Sequence, residues 1–136
     1  MSKLMTILFA LTAGMAGLTA AQQPAGTATP TAPIKRILLQ RFDVPNSNFE
    51  TVTGIAELAP SVNIGRHTHP GLESGYVMDG EFTLLVEGKP PLALKAGDSY
   101  QIPISTIHDA RSGDKGAKVL AVYVVEKGKP LTSPAP

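Results

Sequence analysis

The chain has 136 residues, of which 43% are hydrophobic and 17% are charged, a composition typical of one globular domain rather than of a disordered chain. Its formal net charge is only +1, aromatic residues are sparse and no basic run stands out, which argues against nucleic-acid binding. The absence of cysteine excludes disulfides, thiolate chemistry and cysteine metal ligands.

The first 21 residues have the pattern of a secretory signal peptide. Lys3 precedes an apolar run from Leu4 to about Leu18, and the small residues Thr19-Ala20-Ala21 follow it. We expect cleavage after Ala21, with Ala20 as the second choice, and export to the periplasm. An uncleaved membrane anchor is the alternative, but the run is short for a bilayer core that takes about 20 residues to span. After cleavage we expect no membrane attachment.

The remaining sequence divides into a linker, a folded body and a tail. Residues 22–33 consist of Pro, Ala, Thr, Gly and Gln and predict a flexible linker, since this composition cannot bury a core. Residues 34–126 form the predicted domain. Residues 127–136 are again rich in proline and predict a tail that lies along the surface or frays.

Short runs of β-branched and aromatic residues alternate with turn signals every 8–12 residues or so within this body, which predicts an all-β sandwich or barrel. The predicted strands are Arg36–Arg41, Thr51–Leu58, Ser61–His67, Gly75–Met78, Glu81–Val86, Leu92–Leu94, Ser99–Ile102, His108–Arg111 and Lys118–Glu126. Asp79-Gly80, between two apolar runs, predicts a tight hairpin turn. Both alternating faces of Lys118–Glu126 are apolar, which predicts a second packing layer, with another subunit as one source.

The chain has three histidines, and all of them fall in two short segments. In a strand, residues i and i+2 face the same way, so His67 and His69 are expected to project together and share one metal ion. Pro70-Gly71 ends the strand and the chain then offers Glu73, a hard oxygen ligand. His108, at the start of a later strand, is the one remaining histidine. We therefore predict a metal site of His67, His69, Glu73 and His108.

Each half of this set has a simpler explanation when it is considered alone. A His-x-His pair is often two exposed strand residues, and a single histidine before a strand is more often structural than catalytic. Their combination is much more specific. Three imidazoles and one carboxylate suit Fe(II), Mn(II), Ni(II), Co(II), Cu(II) or Zn(II), although zinc with four protein ligands could form a closed structural site.

The arrangement resembles the two signatures of the cupin superfamily, and most closely the small single-domain cupins that include exported bacterial proteins. The first signature is matched by His67, His69 and Glu73, followed by Gly80 after six intervening residues. Gly97, with Pro103 six positions on and His108 five beyond that, matches the second.

The resemblance implies a double-stranded β-helix, or jelly-roll barrel, that holds a divalent metal through these four residues and usually forms a homodimer. Ser61, Ser105 and Ser112 replace the Gly, Gly and Asn of the signatures. These are loop and strand-end positions, so the replacements affect turn geometry and remove no ligand.

Small residues are expected to line the site, because Gly75, Val77, Ala110 and Ser112 share faces with the predicted ligands. This lining suits a small, weakly polar ligand, although small residues also fit a tight barrel. No catalytic acid or base can be named. Three functions remain open: a metal-dependent, dioxygenase-like enzyme acting on a small organic molecule, a non-catalytic periplasmic module that binds a metal or small ligand, and a barrel that the metal only stabilises.

Overall fold

The computed structural model describes residues 33–136 and is all-β in this part of the chain. The predicted signal peptide and all but the last residue of the predicted linker lie outside the described residues. Among the described residues there is no helix that is both long and apolar enough to cross a membrane. The strands are β1 (Ile34–Asp43), β2 (Phe49–Leu58), β3 (His67–Thr68), β4 (Gly71–Val86), β5 (Leu92–Lys95), β6 (Ser99–Ile102), β7 (His108–Glu126) and β8 (Ser133–Pro134).

Two long antiparallel strands, β4 and β7, organise the sheet because each takes part in two sections of it. In the first section, residues 71–80 of β4 pair with residues 117–125 of β7, and β1, β2 and β6 complete the section. In the second, residues 82–86 of β4 pair with residues 108–112 of β7, and β3, β5 and β8 complete it. A sheet that curls in this way has two facing inner surfaces, as expected for a jelly-roll barrel.

The predicted hairpin at Asp79-Gly80 is wrong, because β4 continues through these residues with two register shifts. Gly80 has a φ of +70°, and a Cβ there would lie 2.2 Å from the carbonyl oxygen of Gly116 on β7. Gly80 therefore permits a β-bulge and a close approach of the two strands, at the point where they pass from one sheet section to the other. The same left-handed backbone preference that favours a turn also favours a bulge.

The predicted strand Ser61–His67 is also wrong over most of its length, since only His67 and Thr68 form β3. Ser61 and Gly65 have φ values of +55° and +98°, which interrupt an extended backbone. The segment is held instead by single hydrogen bonds, such as the one from the backbone N–H of Ile64 to the carbonyl of Ala110.

The hydrophobic core lies between the inner surfaces of the two sections. Its buried members are Val77, Phe82, Leu84, Leu94, Ile102, Ala110, Ala117 and Val119. On the outer surface of the first section, Leu72 and Tyr76 of β4 are about half exposed and pair with Val124 and Leu120 of β7. Within residues 33–136 no second layer of this chain covers that apolar surface.

Candidate metal centre

The four predicted site residues come together at one end of the barrel interior. His67 in β3 pairs directly with His108, the first residue of β7, while Glu73 in β4 pairs with Tyr123 farther along β7. His69 lies between β3 and β4. All four are buried, with exposed fractions of 9%, 4%, 5% and 4% for His67, His69, Glu73 and His108.

The functional atoms of these residues are close enough to share one ion. A nitrogen from each of His67, His69 and His108 lies within 4.8 Å of the others, so this group could hold a metal ion. Glu73 Oε2 lies 2.9 Å from His69 Nε2 and 3.3 Å from His108 Nε2. The carboxylate therefore faces the same space as two of the imidazoles.

A backbone carbonyl fixes the orientation of each imidazole. The Nδ1 atoms of His67, His69 and His108 lie 2.7, 2.6 and 2.9 Å from the carbonyl oxygens of Gly65, Leu131 and Thr106. A carbonyl oxygen only accepts, so Nδ1 must carry the proton in each ring. In a neutral imidazole this leaves Nε2 with a lone pair, which is the arrangement that metal-binding histidines commonly have.

Two atoms at the centre of this group lack a hydrogen-bond partner. His69 Nε2 and Glu73 Oε2 are fully buried and neither makes a hydrogen bond, although they are only 2.9 Å apart. Buried polar atoms without partners are rare and costly. Lone pairs of neutral imidazoles and a carboxylate that share one buried space are what a divalent cation needs, so the residues present fit a metal.

Tyr100 on β6 adds a further polar side chain to this group. Its hydroxyl donates a 2.7 Å hydrogen bond to Glu73 Oε1, which leaves Oε2 to face the histidines. A Cβ on Gly75 would lie 2.2 Å from the Tyr100 ring. The expectation that Gly75 leaves space for a ligand is therefore wrong, because the Tyr100 ring occupies that space and orients Glu73.

The charges within this group are strongly coupled. Burial would raise the pKa of Glu73, but the contacts with His108 and His69 and the hydrogen bond from Tyr100 lower it to about 2. Burial would lower the pKa of His108, but the neighbouring Glu73 carboxylate raises it above the usual value. For His67 burial dominates and lowers the pKa. The site thus contains an ionised carboxylate that attracts a cation, whether a proton or a metal ion.

The segment after β7 contributes directly to this centre. Its Leu131 carbonyl accepts the hydrogen bond from His69 Nδ1, and its strand β8 pairs with β3, opposite His67 and Thr68. Thr132 lines the cavity next to the site. The composition of this segment gave no indication of such contacts, because they are made by its backbone.

A cavity of about 50 Å³ adjoins the four residues. Ala110 lines it as expected, whereas Val77 belongs to the core and Ser112 makes structural hydrogen bonds to Ala59 and Val62. Arg36 and Tyr123 also line the cavity and were missed by sequence reasoning. Tyr123 packs edge-on against His69, with ring centroids 4.8 Å apart. Strand parity could have found it, because Val119, Ala121 and Tyr123 alternate along β7 and share one face.

Comparison with protein families gives a match to the cupin domain over residues 54–123, which is 70 of the 136 residues. No curated protein matches the chain. The matched region contains all four predicted ligands and β3 to β6, with parts of β2 and β7.

Solved structures agree with the fold. A conserved double-stranded β-helix protein of Klebsiella pneumoniae is 19% identical with a TM-score of 0.63, over 80% of this chain and 90% of its own. The DMSP lyase DddQ of Ruegeria pomeroyi is 22% identical with a TM-score of 0.60, over 65% of this chain and 44% of its own. This chain therefore spans less than half of that protein. An oxalate oxidase solved with glycolate is 22% identical with a TM-score of 0.54, over 62% of this chain and 45% of its own. At these identities the likeness concerns the fold alone.

Proposed function

Because this chain belongs to the cupin family, we propose that it binds a divalent transition metal through His67, His69, Glu73 and His108 and acts on a small organic molecule there. One observation carries this proposal: His69 Nε2 and Glu73 Oε2 are buried 2.9 Å apart without a hydrogen bond. With Nδ1–H of His69 directed to a carbonyl, neither atom of this pair supplies a proton unless the ring is charged. A shared cation resolves the conflict.

The donor set restricts the metal to a group without selecting one member. Three imidazoles and a carboxylate suit iron, manganese, nickel, cobalt, copper or zinc, and geometry and metal supply decide among them more than affinity does. A metal bound here would supply an electrophilic centre for a substrate oxygen and, with iron or manganese, a redox partner for O₂.

The reaction that we propose is dioxygenase-like. Structures of similar fold include a DMSP lyase and an oxalate oxidase, so the fold by itself does not select a reaction. In this chain Phe82, Leu84 and Ile64 form apolar walls of the cavity. Tyr100 holds the Glu73 carboxylate in place. The apolar residues have no acid or base, and the Tyr100 hydroxyl is engaged with Glu73. The substrate would therefore depend on the metal for activation.

A second function is favoured by the size of the cavity. With about 50 Å³ of space, it admits only a few water-sized groups beside the ion. On this alternative the metal stabilises the barrel, or the protein is a periplasmic module that binds a metal or small ligand without converting it. It predicts a large rise in melting temperature on metal binding and no product.

The test is elemental analysis of the purified protein, followed by turnover measurements on iron- and manganese-loaded samples. We expect about one metal ion per chain, and O₂ consumption with a member of a panel of diols, diketones and phenolics. A metal content near zero after incubation with each candidate ion would overturn the metal site. Full loading with zinc, strong thermal stabilisation and no turnover would favour the stabilising role.

We also propose that the protein is exported and forms a homodimer. The outer apolar surface around Leu72, Tyr76, Leu120 and Val124 supports a dimer, because exposed apolar patches often mark interfaces. Replacement of Leu72 by Glu should shift the sedimentation coefficient to that of a monomer. Mass spectrometry of the periplasmic fraction should find a chain that begins at Gln22; a chain that begins at Met1 would contradict export by cleavage.

A further inference from the structure

Arg36 on β1 is exposed at the open edge of the barrel, on the face of the sheet that is turned to the interior. Its partner across the pair β1–β2 is Ala56, whose partner on β7 is Val119, and Val119 is buried in the core. Directly opposed residues in antiparallel strands point to the same face. The guanidinium of Arg36 therefore lies on the side of the metal centre, and it lines the same cavity as the three histidines.

Arg36 differs from its neighbours on β1 in having no acidic partner. Lys35 pairs with Glu57 at 3.2 Å and Arg41 pairs with Glu50 at 2.9 Å. Within residues 33–136 Arg36 forms no ion pair, and it lies at the mouth of the cavity. A guanidinium in this situation is available for a ligand, and its geometry is suited to carboxylates.

Tyr123 offers a second donor beside Arg36. The two residues line the same cavity; burial and the Glu73 carboxylate raise the pKa of the Tyr123 phenol, and the charge of Arg36 opposes this rise. The ring of Tyr123 packs against His69, which connects the arginine to the metal centre. The Tyr123 hydroxyl makes no hydrogen bond within the described part of the chain, and a phenol is protonated at neutral pH, so it can donate.

We propose that Arg36 and Tyr123 form a carboxylate-binding subsite at the mouth of the metal pocket, so that the ligand is a small organic acid anion. Its carboxylate is bound by the guanidinium and the phenol, and its other end reaches the metal centre. This inference rests on the proposed function, because it names the ligand class of the same site. A divalent ion with the Glu73 carboxylate leaves a net positive site, and Arg36 adds to that charge, which favours anions over neutral molecules of equal size.

The probes are malonate, succinate and glutarate, each compared with its monoamide, which has the same size and one carboxylate fewer. Affinities for the metal-loaded protein are measured by calorimetry for the wild type and for Arg36→Gln and Tyr123→Phe. Lys35→Gln is the matched control, because it removes one positive charge from the adjacent position on β1, on the opposite face. Metal affinity and melting temperature are measured for every variant.

At least one diacid should bind the wild type roughly tenfold or more tightly than its monoamide, as expected for a charged hydrogen bond. Arg36→Gln should reduce this preference to about twofold or less, Tyr123→Phe should reduce it in part, and Lys35→Gln should retain it. Equal binding of diacid and monoamide by the metal-loaded wild type would overturn the subsite and leave the metal site intact. Equal losses in Arg36→Gln and Lys35→Gln would also overturn it. Failure of the wild type to bind metal would instead overturn the proposed function.

Discussion

The side chains of His69 and Glu73 lie 2.9 Å apart in the interior of the barrel, and no hydrogen bond joins them. The Nδ1 atom of the same imidazole is engaged with the Leu131 carbonyl, and the other carboxylate oxygen of Glu73 accepts from Tyr100. Each residue is thus held from behind, with one lone-pair atom directed to the shared centre. This is the geometry on which the predicted metal site depends.

Replacement of Glu73 by Gln should weaken metal binding. The amide retains the size of the side chain but loses the charge, and removal of a ligand should cost at least the roughly 10–100-fold that loss of an outer-shell partner costs. Glu81→Gln, on the same strand but exposed, is the control and should bind metal as the wild type does. Equal affinity of Glu73→Gln and the wild type in a competitive titration would remove Glu73 from the ligand set.

Truncation of the chain after Pro130 should also weaken metal binding, although it removes none of the four predicted ligands. It deletes the Leu131 carbonyl that fixes His69 and the β8 strand that pairs with β3. We expect a loss of about 10–100-fold in affinity with the β-sheet signal in circular dichroism retained. Thr132→Ala keeps the backbone carbonyl and should bind metal normally; a loss as large as in the truncated chain would assign the effect to the side chain instead.

Replacement of Gly75 by Ala should destabilise the protein. The new methyl group would overlap the Tyr100 ring, whose nearest atoms lie 2.2 Å from the Cβ position. Overpacking of this kind typically costs about 1–3 kcal/mol in the free energy of unfolding, measured by urea denaturation. Ser74→Ala, one position away on the exposed face of β4, should be nearly neutral. If both variants unfold at the wild-type urea concentration, the ring does not fill this space in solution.

Metal affinity should fall as the pH falls, because protons and metal ions compete for His108. The Glu73 carboxylate raises the pKa of His108, so the proton is lost only above the ordinary histidine value of about 6.5. Affinity should therefore rise as the pH passes through this raised pKa and level off above it. In Glu73→Gln the carboxylate is absent and the midpoint should move to lower pH. An unchanged midpoint in titrations at several pH values would show that Glu73 does not control His108.

Local sequence patterns predicted the class of fold, which is confirmed, and the four residues that the structure brings together. His67 and His69 are two residues apart and Glu73 follows four residues later, whereas His108 is the one remaining histidine and lies five residues after Pro103. Such patterns depend on strand parity and turn residues within a few positions of the chain. The strands Ser99–Ile102 and the start of β7 at His108 were confirmed for the same reason.

Only the tertiary structure decided which distant residues support the site. Asp79-Gly80 forms a bulge rather than a hairpin because β7 approaches Gly80 closely. Tyr100 occupies the space beside Gly75, and Leu131 binds His69 across 62 positions of sequence. The physical reason is the same in each case: these contacts join segments that are far apart in the chain, and no local periodicity encodes how such segments are placed against one another.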